Sequence, residues 1–225
     1  MPTPEERPVT IPLDPAVVAL VRLSAAVASG SELEMRARAA DCVAASVPTL
    51  WVEEVLLQSY LFCGFPRTLN AMREWRRVSG VAAPPPSRAN ASDASDASDA
   101  ERWRREGEAT CATVYGPSYE KLRHNIDRLH PELDEWMIVE GYGKILSRPG
   151  LELRLRELCI VAACIASAQE RQLHSHLHGA LNSGASASEV TATIGALEGS
   201  VSADALQRAY LLFDRVKGKE AADSG

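Results

Sequence analysis

The sequence predicts an all-helical protein, with tandem copies of one helical unit forming a bundle. Apolar residues recur at spacings near three and four, and proline, glycine and S-x-x-E caps punctuate the chain at helix-length intervals. No segment alternates as a strand would, and the landmarks of the first third recur in the last.

Asp14 before Pro15 reads as a cap with proline at the first helical position, and Gly30 closes that helix. Ser31 and Glu34 form a capping box, in which the serine oxygen accepts an early backbone N–H while the glutamate reaches back. Pro48 ends the second helix; further helices run from Leu50 to Cys63 and, after Gly64 and Pro66, to about Val78. From Ser79 to Asp99 the composition turns to Ala, Pro, Ser, Asn and Asp, with too little apolar surface to offset the entropy of ordering. That stretch reads as a linker, with Asp99 available to cap the next helix. Helices are then expected over Glu101–Tyr115, Pro117–Leu129, Pro131–Ile145, Leu151–Ala168, Glu170–Asn182, Ser186–Glu198 and Ser202–Lys217. Ser186 with Glu189 makes a second capping box, and Gly184 a left-handed stop.

A gapless shift of 135 residues lays Asp14–Leu69 over Pro149–Asp204, bringing Leu23 onto Leu158, Glu54 onto Glu189 and Gly64 onto Gly199. The expected organisation is therefore an N-terminal degenerate repeat over 11–79, a low-complexity linker over 80–100 and a C-terminal repeat over 101–218.

With 46% hydrophobic and 24% charged residues, the 225-residue chain can bury a core. A net charge of -6 leaves no basic surplus for nucleic acid or an anionic membrane. The apolar run Leu158–Gln169 falls short of the roughly 20 residues that cross a bilayer. Met1–Thr10 has no signal-peptide pattern, so a soluble, cytoplasmic chain is expected. Five cysteines, never spaced C-x-x-C, read as buried reduced thiols.

Three of the five histidines, His174, His176 and His178, fall within one predicted helix. His174 and His178 share a face with Glu170 at a spacing suited to a divalent metal or to a solvated stripe, while His176 points roughly opposite. His124 and His130 read as structural, and Trp51, Trp75, Trp103 and Trp136 as core or interface anchors. Gly141-Tyr142-Gly143, without a preceding strand, is too short for a phosphate loop.

Ser147-Arg-Pro-Gly-Leu151, Arg156-Glu157-Leu158, the run from Gln172 to Gly184 and Glu189-Val190 together resemble the carboxymuconolactone decarboxylase family. Val52–Tyr60 and Gly64-Phe65-Pro66 are similar to that family's end segment. The resemblance implies a helical fold of the alkylhydroperoxidase D type and assembly into homo-oligomers. It also implies one of two chemistries on a small-molecule substrate. In the peroxidase pattern Glu-x11-Cys-x2-Cys-x3-His, Glu157 and His176 are matched, but Gln169 and Gln172 stand where the cysteines belong. An amide cannot replace a nucleophilic thiolate. The other branch decarboxylates a carboxylated lactone without metal or organic cofactor. By that resemblance Glu157 and His176 are the catalytic candidates, with Arg171, His178 and Gln172 for substrate binding and Glu170, His174 and His178 as weaker metal candidates. Two alternatives stand beside this reading: a non-catalytic oligomeric scaffold or small-molecule binder, and residual peroxidase activity through Cys63 or Cys159.

Overall fold

A computed structural model describes residues 13–85 and 96–223; the expectations for Met1–Thr10 and for residues 86–95 of the linker lie outside them. Among the described residues every regular element is helical. The first group comprises α1 (Pro15–Ser29), α2 (Glu32–Ala44) and α3 (Thr49–Ser79). Asp14 caps α1 by accepting from Ala16 N, and the Ser31/Glu34 capping box closes in both directions. Helix α3 is broken by Gly64, whose φ of 75° favours a residue without Cβ, so the two expected helices are joined at a kink.

Helix α4 (Asp96–Tyr115) begins earlier than expected, and Asp99 is not its cap. It lies one turn inside, paired with Arg102 at 2.8 Å. A 3₁₀ turn at Gly116–Ser118 leads to α5 (Tyr119–Leu129) and the short α6 (Pro131–Trp136). The expected α-helix to Ile145 instead widens into a π-helix over Met137–Leu146. Close backbone contact with α4 accounts for its position: a Cβ on Gly143 would lie 2.0 Å from the Trp103 carbonyl oxygen, and one on Gly107 2.1 Å from that of Ile138. Only glycines permit that approach.

The second group is α7 (Leu153–Ala166), α8 (Glu170–Asn182), α9 (Ala187–Gly195) and α10 (Ala203–Asp223). Helices α1, α2 and α3 start at 15, 32 and 49, and α7, α8 and α9 start at 153, 170 and 187, a constant spacing of 138. Gly64 at the α3 kink and Gly199 in the turn between α9 and α10, both with φ near 75°, keep the spacing of 135. A single gapless register therefore does not fit both ends. The difference is three residues, taken up because α9 is shorter than the part of α3 before its kink.

Helices α1 and α7 pack together at the centre, where Ser24 Oγ donates to the Cys159 carbonyl at 2.7 Å. Every residue of α7 from Leu155 to Ile165 is buried, including Arg156 and Glu157. Arg156 is held from the other group: its Nη2 donates to Glu54 Oε2 at 2.8 Å and its Nη1 to Gln58 Oε1 at 3.3 Å. Arg148 adds a two-pronged contact to the same Glu54 at about 3.0 Å. At the far edge Arg22 Nε donates to the Ala196 carbonyl at 2.7 Å.

Removing one member of such a buried cluster strands the others without compensation. Arg156→Met is expected to lower unfolding stability by roughly 3–5 kcal/mol. Adding Glu54→Leu should recover part of that loss, as urea denaturation of the two variants will show.

Candidate active site

Glu157 comes from the middle of α7 and His176 from the middle of α8, and the packing of those helices brings their side chains together. His176 Nδ1 and Glu157 Oε2 are 2.8 Å apart, with the carboxylate fully buried and the imidazole 6% exposed. With its proton on Nδ1 donated to the carboxylate, His176 keeps Nε2 as the basic nitrogen. The second carboxylate oxygen, Oε1, is buried without a hydrogen-bond partner. An unpaired buried acceptor is costly, and Thr68, Trp75, Arg102, Ser183 and Thr193 also carry buried polar atoms in that state.

Three neighbours shape the pair. Gly179, one turn beyond His176, clears space for the carboxylate, since a Cβ there would lie 2.6 Å from Oε2 and 2.7 Å from a Val114 methyl. Asn182 Nδ2 donates to the Val114 carbonyl at 2.9 Å and so fixes the end of α4 against α8. Phe62, from α3, meets the His176 ring edge-on, with centroids 5.7 Å apart and planes at 80°.

Two tyrosines stand in the electrostatic field of Glu157. Tyr115 ends α4, Tyr142 is buried on the π-helix, and their rings meet edge-to-face at 6.2 Å. Burial, reinforced in each case by the Glu157 charge, pushes both phenols above their ordinary range. Both therefore remain hydrogen-bond donors at neutral pH. From the sequence Tyr142 reads as a core or interface anchor, and Tyr115 does not stand out. The available signal was Gly-Tyr-Gly within a helical stretch, a pattern compatible with the local widening often seen at functional sites.

The other expected residues are distributed differently. Arg171 and Gln172 are exposed on the first turn of α8; Gln172 shares the His176 face, whereas Arg171 projects from a different one. His178 is half-buried, with its ring edge-on to that of His174 at 5.0 Å. Glu170 turns to Arg208 at 3.0 Å, and among the described residues no three such side chains are placed to hold a metal ion. Arg156, beside Glu157 in sequence, is committed to Glu54 rather than to the site. A 210 Å³ groove lined by Glu170, Leu173, Arg208, Leu211, Leu212 and Arg215 does not include the pair.

Residues 131–214, from the first residue of α6 into α10, match the model of the carboxymuconolactone decarboxylase family. Over that segment the chain is similar to the family. Both members of the buried pair lie inside the family segment, whereas Phe62, Cys111 and Tyr115 come from outside it. The chain is also similar to Peroxisomal protein 2 of Schizosaccharomyces pombe (strain 972 / ATCC 24843), 29% identical over 141 residues. That alignment covers 62% of this chain and 63% of the relative, so the chain spans less than two thirds of that protein's length. No helix among the described residues is long and apolar enough to cross a membrane.

All five thiols lie in surroundings that disfavour the thiolate. Burial pushes Cys63 up to about 11 and Cys42, Cys111 and Cys164 to about 12, and raises Cys159 as well. The thiolate fraction, and with it nucleophilicity, rises only as pH approaches those values. A disulfide-exchange titration at pH 8 is expected to find half-buried Cys63 reacting first and slowly, and all five thiols reacting at once in denaturant.

Proposed function

We propose that this carboxymuconolactone decarboxylase-like protein performs cofactor-free acid–base chemistry on a small carboxylated or carbonyl substrate. The 2.8 Å contact between fully buried Glu157 and His176 carries this reading. A carboxylate on Nδ1 orients the ring, fixes the basic nitrogen and stabilises the imidazolium that forms when Nε2 takes a proton. In a decarboxylation the bond to the departing carboxylate breaks and its electron pair passes into an adjacent carbonyl as an enolate. Nε2 takes the proton of the substrate's carboxyl group before carbon dioxide leaves, and the imidazolium so formed returns that proton to carbon. Tyr142 and Tyr115 supply neutral phenols for the enolate oxygen, and His178 and Gln172 are candidates for outer contacts to substrate.

The tight packing about the pair, with the 210 Å³ groove elsewhere, favours a second reading as a non-catalytic scaffold or binder. Peroxidase activity through Cys63 or Cys159 is less well supported, given the raised thiols. Release of carbon dioxide from a panel of small carboxylated lactones separates these readings. His176→Ala is expected to lower turnover about 10²–10⁴-fold, the range of general acid–base catalysis. Unchanged turnover in that variant on every accepted substrate would sink the acid–base reading.

Tandem duplication belongs to the same proposal. The constant spacing of helix starts and the paired positive-φ glycines Gly64 and Gly199 support it. At that spacing the first-half counterparts of Glu157 and His176 are Ala19 and Arg38, so the first unit carries no acid–imidazole pair. Assembly into a homo-oligomer is supported by exposed Leu129, Leu133 and Trp136 around an α5 that buries none of its residues. Light scattering on the purified chain should give a mass above 24.3 kDa, and Trp136→Glu should reduce it. The cytoplasmic location expected from the sequence is retained, beside a relative named for the peroxisome; organelle fractionation decides it.

A further inference from the structure

We infer that Phe62 of the N-terminal half is the specificity-determining wall of the Glu157–His176 site, limiting it to compact substrates that lay a flat apolar face against the ring. The inference rests on the acid–base reading only in taking His176 Nε2 as the nitrogen that meets substrate. Its geometry is independent of that reading.

Glu157 is sealed, and His176 retains a 6% exposure, so whatever reaches the pair does so along the imidazole. Nδ1 is occupied by the carboxylate, which leaves the Nε2 side of the ring as the working edge. Phe62 stands edge-on to that ring at 5.7 Å and, being only partly buried itself, borders the imidazole on a side that is not sealed. Its place on α3 is set by the kink: Phe62 is two residues before Gly64, where φ of 75° interrupts the helix. Just beyond the kink Phe65 folds back to stack on Tyr60 at 5.0 Å. Half-buried Cys63 follows Phe62, and its thiol stands in electrostatic range of Cys164 on α7, so this end of α3 packs over the helix that carries Glu157.

An aromatic wall here excludes by volume and attracts by surface. A long or branched molecule must displace the ring set edge-on to His176, whereas a compact planar one packs against it. The first half, which lacks the acid–imidazole pair, thereby contributes to the site it borders.

Two histidine-directed electrophiles of different size test this on the full chain without knowledge of the substrate: diethyl pyrocarbonate, which is small, and p-bromophenacyl bromide, which is bulky and aromatic. Modification at His176 is followed by peptide mass spectrometry, with exposed His124 as the internal reference. Phe62→Ala is expected to raise the His176 rate with the bulky reagent at least about tenfold, the scale on which pocket walls discriminate by size, and to change the small-reagent rate less than about threefold. Phe62→Trp should slow the bulky reagent further. Equal bulky-reagent rates in wild type and a folded Phe62→Ala would overturn the inference, as would failure of either reagent to reach His176 in any folded variant. Should Phe62→Ala not fold by circular dichroism, Phe62→Leu carries the same comparison. These rates do not depend on turnover, so a His176→Ala protein that keeps full activity would remove the acid–base reading and leave the wall standing.

Discussion

The burial of α7 from Leu155 to Ile165 is the constraint on which the rest of the structure depends. Arg156 and Glu157 are successive residues of that helix, and both are fully buried. A group of either kind is expelled from a core or neutralised unless a partner meets it there. Successive positions on a helix point about 100° apart, so the two must be met by different neighbours. Arg156 is met by Glu54 and Gln58 of α3, which ties the two halves together. Glu157 is met by His176 of α8, which creates the site. One helix thus couples assembly to chemistry: the contact that positions α3 against α7 also brings Phe62 over His176.

That coupling gives the N-terminal half a role beyond covering an apolar face. It contributes the carboxylate that balances Arg156, the carbonyl and amide groups that close the junction, and the aromatic ring over the imidazole. The polar links across the junction, from Arg22 at one edge to Arg148 at the other, fix the register between halves in a way that apolar packing alone does not. Glycine works on a smaller scale toward the same end. At Gly179 the missing Cβ is the space that the Glu157 carboxylate occupies.

Much of the fold was legible because its signals are local. Asp14-Pro15, Ser31 with Glu34, Ser186 with Glu189 and the left-handed Gly184 act through the few residues around them, and each is found where the sequence places it. The Glu157–His176 pair was legible through a motif whose spacing survives the loss of both cysteines between its ends. The features that could not be read depend on contacts distant in sequence. The π-helix results from the approach of Gly107 and Gly143 to a neighbouring backbone, and Tyr115, Tyr142 and Phe62 come together only through packing of α3, α4 and the π-helix around α7 and α8. Arg171 attracted attention as an arginine near the motif, yet the arginine with a buried carboxylate partner is Arg156, and only tertiary structure distinguishes them.

The unpartnered oxygen of Glu157 and the phenols beside it are consequences of the same burial. A carboxylate engaged on one oxygen and bare on the other is a poor structural device, because the bare acceptor subtracts from stability without fixing any neighbour. Arg156 shows how this core treats a group kept only for structure: three of its nitrogens are bonded, to two side chains and two carbonyls. The two adjacent residues therefore differ in saturation as well as in direction. The same core leaves Glu157 with one oxygen on an imidazole and its charge within electrostatic range of two buried phenols. That contrast makes Glu157 the candidate for chemistry and Arg156 the group that joins the two halves.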